Sequence, residues 1–132
     1  MTLDDLYDNF AFFENWEEKY QYVIDLGNRL EALDDCYKTD EWKIKGCQSQ
    51  VWLVPQYSEN KLHFRGDSDA LLVRGIIAIV LIIYNDKSPE EIKNIQINDI
   101  FAKLGLEENL TPSRRNGMMS MVAKIIEYAS NV

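Results

Sequence analysis

The spacing of apolar residues predicts two helices at the start of the chain. Leu3, Leu6 and Phe10 follow one another at intervals of three or four residues, which is the helical period. Asn15 then precedes a second stripe with the same period, over residues 16–30. An asparagine in that place predicts an N-cap, because its side chain can accept a hydrogen bond from a free backbone N–H of the first turn.

In the middle of the chain the pattern changes from that of a helix to that of a strand. Residues 51–57 are rich in β-branched and aromatic side chains, and residues 61–65 alternate apolar with polar ones. The short polar connection between them, residues 58–60, predicts a hairpin. Residues 42–45 predict one more strand, joined to the hairpin by a turn at residues 46–49. The expected sheet is therefore a small three-stranded antiparallel meander.

The remaining apolar segments again have the helical period and begin at residues that can cap a helix. The longest is predicted to take Asp67 or Ser68 as its cap and to end near Tyr84. The later helices are predicted to start at Ser88, near Asp99 and at Thr111. Helices that precede and follow a small antiparallel sheet, and flank it, define an α+β fold.

The length and charge of the chain narrow the classes of protein to consider. One domain is expected over residues 1–132, because two separate cores would each be too small. The net charge of −8 argues against nucleic acid and against an anionic membrane surface as partners. The longest apolar run, residues 70–84, is too short to span a bilayer. The first residues lack the basic segment of a secretory signal, so a cytoplasmic location is expected.

Few side chains are available for chemistry. Two cysteines and one histidine cannot form a four-ligand zinc or iron–sulfur site within one protomer. We therefore expect no resident metal and no cofactor. The single histidine, His63, is predicted on the polar face of a strand, as a solvated surface residue.

Cys47 is the leading candidate for a reactive group. It lies between Gly46 and small polar residues in a predicted turn, where a partner could approach closely. The residues alone leave a second interpretation open, that of a small buried side chain, since free cysteine is often buried. Cys36 is less suited to react, because the neighbouring Asp34 and Asp35 disfavour a thiolate.

Arg114 and Arg115 occupy an electrostatically unfavourable place. Both are expected in the first turn of the last helix, where the helix dipole disfavours positive charge. Such a pair requires a compensating partner, which could be a carboxylate, the Cys47 thiolate or another protein.

Four blocks of the chain form a recognisable set of motifs. The most specific block is Gly46-Cys47-Gln48-Ser49-Gln50-Val51-Trp52. The others are residues 15–20 (NWEEKY), residues 66–70 (GDSDA) with Val73 and Gly75, and residues 110–114 (LTPSR) with Asn116 and Gly117. Together they extend over most of the chain, and in this order they resemble the SufE family of sulfur-acceptor proteins that activate cysteine desulfurases.

The resemblance implies a fold shared with iron–sulfur scaffold proteins of the IscU type, and it implies a covalent reaction. A pyridoxal-phosphate-dependent cysteine desulfurase of the SufS type would carry sulfur as a persulfide, and Cys47 would accept its outer sulfur. The sulfur would then pass to a scaffold complex of the SufBCD type for Fe–S cluster assembly. The implied protein is an accessory that stimulates the desulfurase, and not an enzyme by itself.

The resemblance also implies roles for five further residues. Gln48, Ser49 and Gln50 would form the loop that shelters the persulfide and rearranges when the partner docks. Asp69 matches a position that tunes the resting, buried state of that loop. Arg114 matches the arginine of the C-terminal motif, expected near the loop or at the partner interface. Which of the two neighbouring arginines acts there stays open.

Two alternatives stand beside the covalent carrier. The chain could activate a desulfurase only by binding to it, without accepting sulfur. It could also hold a cluster as a bridged dimer that pools two Cys47 thiolates, although the ligand count disfavours this. A monomer or a weak homodimer is expected in the resting state.

Overall fold

The computed structural model describes residues 1–107 and 110–132. Within these residues the chain forms six α-helices and one two-stranded antiparallel sheet, an α+β architecture. In chain order the elements are α1 (Leu3–Phe12), α2 (Trp16–Gly27), β1 (Val51–Ser58), β2 (Lys61–Ser68), α3 (Leu71–Tyr84), α4 (Pro89–Lys93), α5 (Ile97–Leu104) and α6 (Pro112–Ser130). One turn of 3₁₀ helix, Asp35–Tyr37, lies between α2 and β1.

Side-chain caps begin α2, α4 and α6 where the sequence predicts them. Asn15, Ser88 and Thr111 each accept a hydrogen bond from the backbone N–H of the third residue of the helix that follows. These bonds satisfy N–H groups that have no partner inside the helix. The Thr111 cap fixes the first turn of α6, which carries Arg114.

The strands β1 and β2 form the predicted hairpin. Their register pairs Val51 with Ser68 at one end and Ser58 with Lys61 at the other. The turn residue Glu59 has φ of 53°, and the next residue along the chain has φ of 61°. Two successive residues in this left-handed region give the tight turn whose twist matches that of the strands.

The prediction of a third strand is wrong. Residues 42–44 lie alongside β1, but they pair with it through one isolated bridge, between Lys43 and Trp52, which consists of two backbone hydrogen bonds. Turns at residues 40–42 and 45–46 bend the chain away on both sides. The pairing is in the predicted place, but it is too short to be a strand.

The other edge of the hairpin is covered by the segment that follows α3. The side-chain amide of Asn85 accepts a hydrogen bond from the Phe64 N–H at 2.7 Å and donates one to the Phe64 carbonyl at 3.1 Å. The Leu62 N–H donates to the Lys87 carbonyl, and the Asp86 N–H donates to the Leu62 carbonyl. One amide side chain and two backbone groups thus replace a short piece of a neighbouring strand.

The start of α3 also differs from its prediction. Its cap position is Ala70, which makes no capping side-chain bond. Asp67 and Ser68 belong to β2 instead, because the ladder with β1 continues through them. The Asp67 carboxylate pairs with Arg74 at 2.9 Å and with Lys38 at 3.2 Å, so it ties the start of α3 to the loop after α2.

Two glycines allow α2 and α3 to cross in backbone contact. A Cβ placed on Gly75 would lie 2.1 Å from the carbonyl oxygen of Val23, and one on Gly27 would lie 2.7 Å from the Gly75 nitrogen. No side chain larger than hydrogen fits at either position without moving a helix. This crossing sets the position of α3, and the first turns of α3 form one wall of the site described next.

Candidate functional site

Cys47 lies in the loop that leads into β1, directly after a glycine turn. Gly46 has φ of +88°, a left-handed conformation that glycine adopts easily and other residues avoid. A Cβ there would also lie only 3.1 Å from the hydroxyl oxygen of Ser120 on α6. The turn therefore brings the loop close against α6, and Cys47 is half-buried there.

The thiol of Cys47 rests directly on the backbone of α6. Its Sγ atom is 3.7 Å from the Gly117 carbonyl oxygen, a weak sulfur hydrogen bond. A Cβ on Gly117 would lie 3.5 Å from this Sγ, which is ordinary contact distance. The missing side chain at Gly117 therefore leaves free space next to the sulfur atom.

An apolar cavity of about 240 Å³ borders the thiol. Its apolar walls come from the start of α3 and the first half of α6, with Leu72, Val73, Ile76, Met118 and Met121. Gln48, Ser49 and Arg114 line the same cavity, together with Cys47. The cavity has room for more than one additional sulfur atom beside Cys47.

Asp69 holds the far end of the cysteine loop. Its carboxylate Oδ1 accepts a hydrogen bond from the Gln50 N–H at 3.0 Å, and its own N–H donates to the Gln50 carbonyl at 3.4 Å. These bonds extend the hairpin ladder by one residue beyond the pair of Val51 and Ser68. The loop is therefore anchored after Cys47 by Asp69 and turned before it by Gly46.

The two neighbouring arginines face different parts of the structure. Arg114 lines the apolar cavity beside Cys47. The guanidinium of Arg115 donates a hydrogen bond to the backbone carbonyl of Glu107, in the connection that precedes α6. The structure therefore brings Arg114 to the candidate site and gives Arg115 a separate contact.

Burial raises the pKa of the Cys47 thiol above its ordinary value. In this position the thiol is held in its neutral form at physiological pH. Because the thiolate is the nucleophile, Cys47 gains reactivity when it moves toward solvent or toward a positive charge.

The other cysteine lies apart from this arrangement. Cys36 is exposed in the 3₁₀ turn, and both cysteines are free thiols. Within residues 1–107 and 110–132, no group of three or more histidine, cysteine or carboxylate side chains is placed to hold a metal ion. In the same part of the chain, no helix combines the length and the apolar character needed to cross a membrane.

The side chain of His63 is 33% exposed and makes two contacts that its strand pattern does not predict. Its Nε2 lies 2.9 Å from a Glu31 carboxylate oxygen, and its Nδ1 lies 3.0 Å from one of Asp86. Burial lowers the pKa of His63, but the hydrogen bonds to both carboxylates outweigh it and raise the pKa above the ordinary value. Both partners are remote in sequence, so strand alternation carried no signal of them. His63 pairs with Gln56 in the hairpin, several residues from the Cys47 loop.

The fold and the site together define an α+β protein with one half-buried thiol, presented by a glycine turn beside an apolar cavity. The chain belongs to the SufE family. The family model, described as an Fe-S metabolism associated domain, matches residues 4–129.

The chain is also similar to curated proteins and to a solved structure. An uncharacterized SufE-like protein of Rhizobium etli is 48% identical over 132 residues, which cover 97% of this chain and 89% of that protein. A second SufE-like protein, of Rhizobium meliloti, is 45% identical over 128 residues, 94% of this chain and 91% of that protein. The solution structure of a hypothetical protein from Thermus thermophilus superposes with a TM-score of 0.78 at 15% identity, over 99% of this chain and 97% of that one. That likeness shows a shared fold.

Proposed function

We propose that this chain accepts sulfur on Cys47 from a pyridoxal-phosphate-dependent cysteine desulfurase of the SufS type. It stimulates the desulfurase by removing the persulfide sulfur from its active cysteine, and it passes the sulfur to a scaffold complex of the SufBCD type. The observation that carries the proposal is the position of Cys47, a free thiol beside a cavity with room for additional sulfur. Membership of a family associated with Fe–S metabolism supports the same assignment.

The transfer step is a thiol–persulfide exchange. The Cys47 thiolate attacks the outer sulfur of the desulfurase persulfide, so that a new S–S bond forms on Cys47 while the donor's S–S bond breaks. The donor cysteine leaves as a thiolate, and Cys47 becomes a persulfide. One S–S bond replaces another, so the step needs no external oxidant or reductant.

The loop has two tasks that require different positions. A stored persulfide must be kept from solvent thiols, whereas transfer requires that Cys47 reach the partner. Gln48, Ser49 and Gln50 connect Cys47 to the Asp69 anchor, and we propose that this stretch moves when the partner docks. The weak contact of the thiol with α6 suits a group that must leave its resting place.

Arg114 is the cation that we assign to the stored sulfur. A persulfide is more acidic than a thiol, so an anionic outer sulfur in the apolar cavity requires a positive charge at its border. Arg114 lines that cavity, while Arg115 is engaged with the Glu107 carbonyl. This arrangement also accounts for a positive charge in the first turn of α6, where the helix dipole opposes it.

We further propose that residues 1–132 act as one SufE-like domain in the cytoplasm, as a monomer or a weak homodimer. A thiol that must repeatedly accept sulfur needs a reducing compartment, since an oxidising one would trap it as a disulfide.

Intact mass after incubation with a cysteine desulfurase and free cysteine tests the covalent role. We expect a gain of one or more sulfur atoms, removed by reductant, in the wild type and in Cys36→Ser. The Cys47→Ser variant should show no gain and no stimulation of the desulfurase.

The same experiment can also identify an activator that accepts no sulfur. If Cys47→Ser still raises desulfurase turnover while no variant gains mass, the chain activates its partner by binding alone. Visible absorbance after anaerobic reconstitution with iron and sulfide would instead indicate a cluster held between two copies.

A further inference from the structure

Cys47 also borders a second cavity, and it is the only described residue that lines both this cavity and the apolar one. This charged pocket has a volume of about 550 Å³ and is lined by Asp40, Lys43, Ile44, Lys45, Gly46 and Cys47. The side chains of Asp40, Lys43 and Lys45 are exposed, so the pocket faces solvent. The thiol therefore stands between an apolar cavity and a charged, solvent-facing pocket.

The two lysines are held on the solvent side by the residue between them. Ile44 is 5% exposed and packs into the hydrophobic core. Lys43 pairs with β1 and Lys45 begins the turn at residues 45–46, and both lysine side chains are exposed. The backbone bridge between Lys43 and Trp52 keeps this segment against β1.

The charged pocket differs in sign from the net charge of the molecule. The first 35 residues contain ten of the 22 carboxylates but only two of the 14 basic residues, which accounts for the whole net charge of −8. The pocket contains two lysines and one carboxylate, Asp40, and none of the three forms a salt bridge within the described residues. Its local charge is therefore positive and available to an incoming group.

Sulfur transfer brings negative charge to this place. The attacking Cys47 thiolate is an anion, and the donor cysteine becomes an anion as its S–S bond breaks. Positively charged side chains near Cys47 attract an anionic donor. They also reduce the electrostatic repulsion between the Cys47 thiolate and the donor's sulfur anion.

We propose that the charged pocket is the entrance by which an anionic sulfur donor reaches Cys47, with Lys43 and Lys45 as its positioning residues. The identity of the donor as a protein persulfide rests on the proposed function above. The electrostatic selection itself depends only on the pocket and applies to any small anionic disulfide or persulfide. Sulfur enters on this side and is stored on the other, in the apolar cavity.

The test compares two small disulfides that react with Cys47 without any partner protein. Dithiobis(nitrobenzoate) is a dianion and dithiodipyridine is neutral, and both release a coloured thiol. Rates are measured in a Cys36→Ser background, so that Cys47 is the only thiol. The ratio of the two rates cancels the thiolate fraction and the opening of the loop, since both probes require them equally.

We expect Lys43→Gln with Lys45→Gln to lower the anionic-to-neutral ratio by roughly three- to tenfold at low salt. Added salt should reduce the ratio of the parent protein toward that of the variant, because mobile ions screen exposed charges. Lys43→Arg with Lys45→Arg should keep the ratio, since it keeps the charge. Lys61→Gln with Lys87→Gln is the matched control, because both lysines lie at the far end of the hairpin.

An unchanged ratio in the Lys43 and Lys45 variant, or an equal drop in the Lys61 and Lys87 variant, would overturn the proposal. Desulfurase assays then separate this result from the proposed function. If the donor reaches Cys47 by another route, the lysine variant would still gain sulfur, and its KM for the desulfurase would be unchanged. With the pocket as entrance, the KM for the desulfurase should rise while kcat changes little.

Discussion

Glycine has opposite uses in two regions of this molecule. At the crossing of α2 and α3, the absence of a side chain at Gly75 allows the two helix backbones to touch. At the candidate site, Gly117 removes a side chain so that space remains beside the Cys47 sulfur. The first region has no room for an added atom, whereas the second has free space beside the sulfur. The movement that we propose for the cysteine loop would therefore take place beside α3, whose position the crossing sets.

The largest expected effect comes from filling the crossing. In Gly75→Ala the new Cβ would lie 2.1 Å from the Val23 carbonyl oxygen, so one of the helices must shift. We expect a loss of about 3 kcal/mol or more in the free energy of unfolding. Urea denaturation followed by circular dichroism measures it.

Gly117→Ala is the matched control for that substitution. Among the described residues its Cβ would contact only Cys47, at 3.5 Å from Sγ and 4.0 Å from Cβ. Alanine is favoured over glycine inside a helix by roughly 0.5–1 kcal/mol. The variant should be at least as stable as the wild type and should hold the Cys47 persulfide less well. Equal losses of stability in the two variants would contradict the contrast between the regions.

The next effect concerns the anchor of the loop. Asp69→Ala removes the acceptor of the Gln50 N–H, so we expect a loss of about 1 kcal/mol in the free energy of unfolding. Cys47 should react several-fold faster with a neutral disulfide, and the amides of residues 46–50 should exchange faster with solvent. Asp69→Asn keeps an acceptor oxygen and should restore most of the protection. Unchanged exchange in Asp69→Ala would show that the loop is held elsewhere.

A smaller effect is expected at the opposite end of the hairpin, where two carboxylates contact the ring of His63. The folded pKa of His63 is raised above its ordinary value of 6.5 by hydrogen bonds to Glu31 and Asp86, which outweigh burial. A raised folded pKa stabilises the protein below the unfolded pKa, and this stability is lost as pH rises through the folded pKa. The wild type should therefore exceed His63→Gln in stability at acidic pH and lose that advantage on passing to mildly alkaline pH.

Because these groups are partly exposed, the difference should stay below about 1 kcal/mol and shrink with added salt. Urea denaturation of both proteins across this pH range measures it. A gap that widens with rising pH would have the wrong sign for this account.

The smallest effect tests the dense packing of α3 itself. The hydroxyl of Tyr84 is buried without a hydrogen-bond partner among the described residues, and burial raises the pKa of Tyr84 to about 12. Tyr84→Phe removes this hydroxyl and keeps the ring. We expect the same stability, or a gain of up to about 1 kcal/mol, in thermal or urea denaturation. A clear loss would reveal a partner such as a buried water.

Local features of the fold were predictable because their causes are local. Asn15 and Thr111 cap helices through bonds to residues three positions away, and the alternation in the hairpin depends on neighbouring residues. The prediction of a third strand is wrong because turns on both sides of residues 42–44 interrupt it. The prediction of Asp67 or Ser68 as the cap of α3 is wrong because both residues continue the β2 ladder.

The candidate site was predictable in its residues but not in its geometry. The block around Cys47 identified the loop, and Asp69 and Arg114 came from the family resemblance. The space beside Gly117 depends on contacts between segments that are distant in sequence. The same is true of the placement of Arg114, and not Arg115, at the cavity. No spacing rule in one sequence encodes such contacts.

The Asn85 side chain, which pairs with Phe64, has a consequence for how the protein behaves among other proteins. A sheet of only two strands has two open edges, and each could recruit a foreign strand and start aggregation. Asn85 blocks one edge near the hairpin tip, and residues 42–44 block the start of the other. Pro55 is the next residue of β1 whose backbone faces outward on this second edge, and proline has no N–H to donate. These contacts therefore limit pairing with a foreign strand, including during the loop opening that we propose.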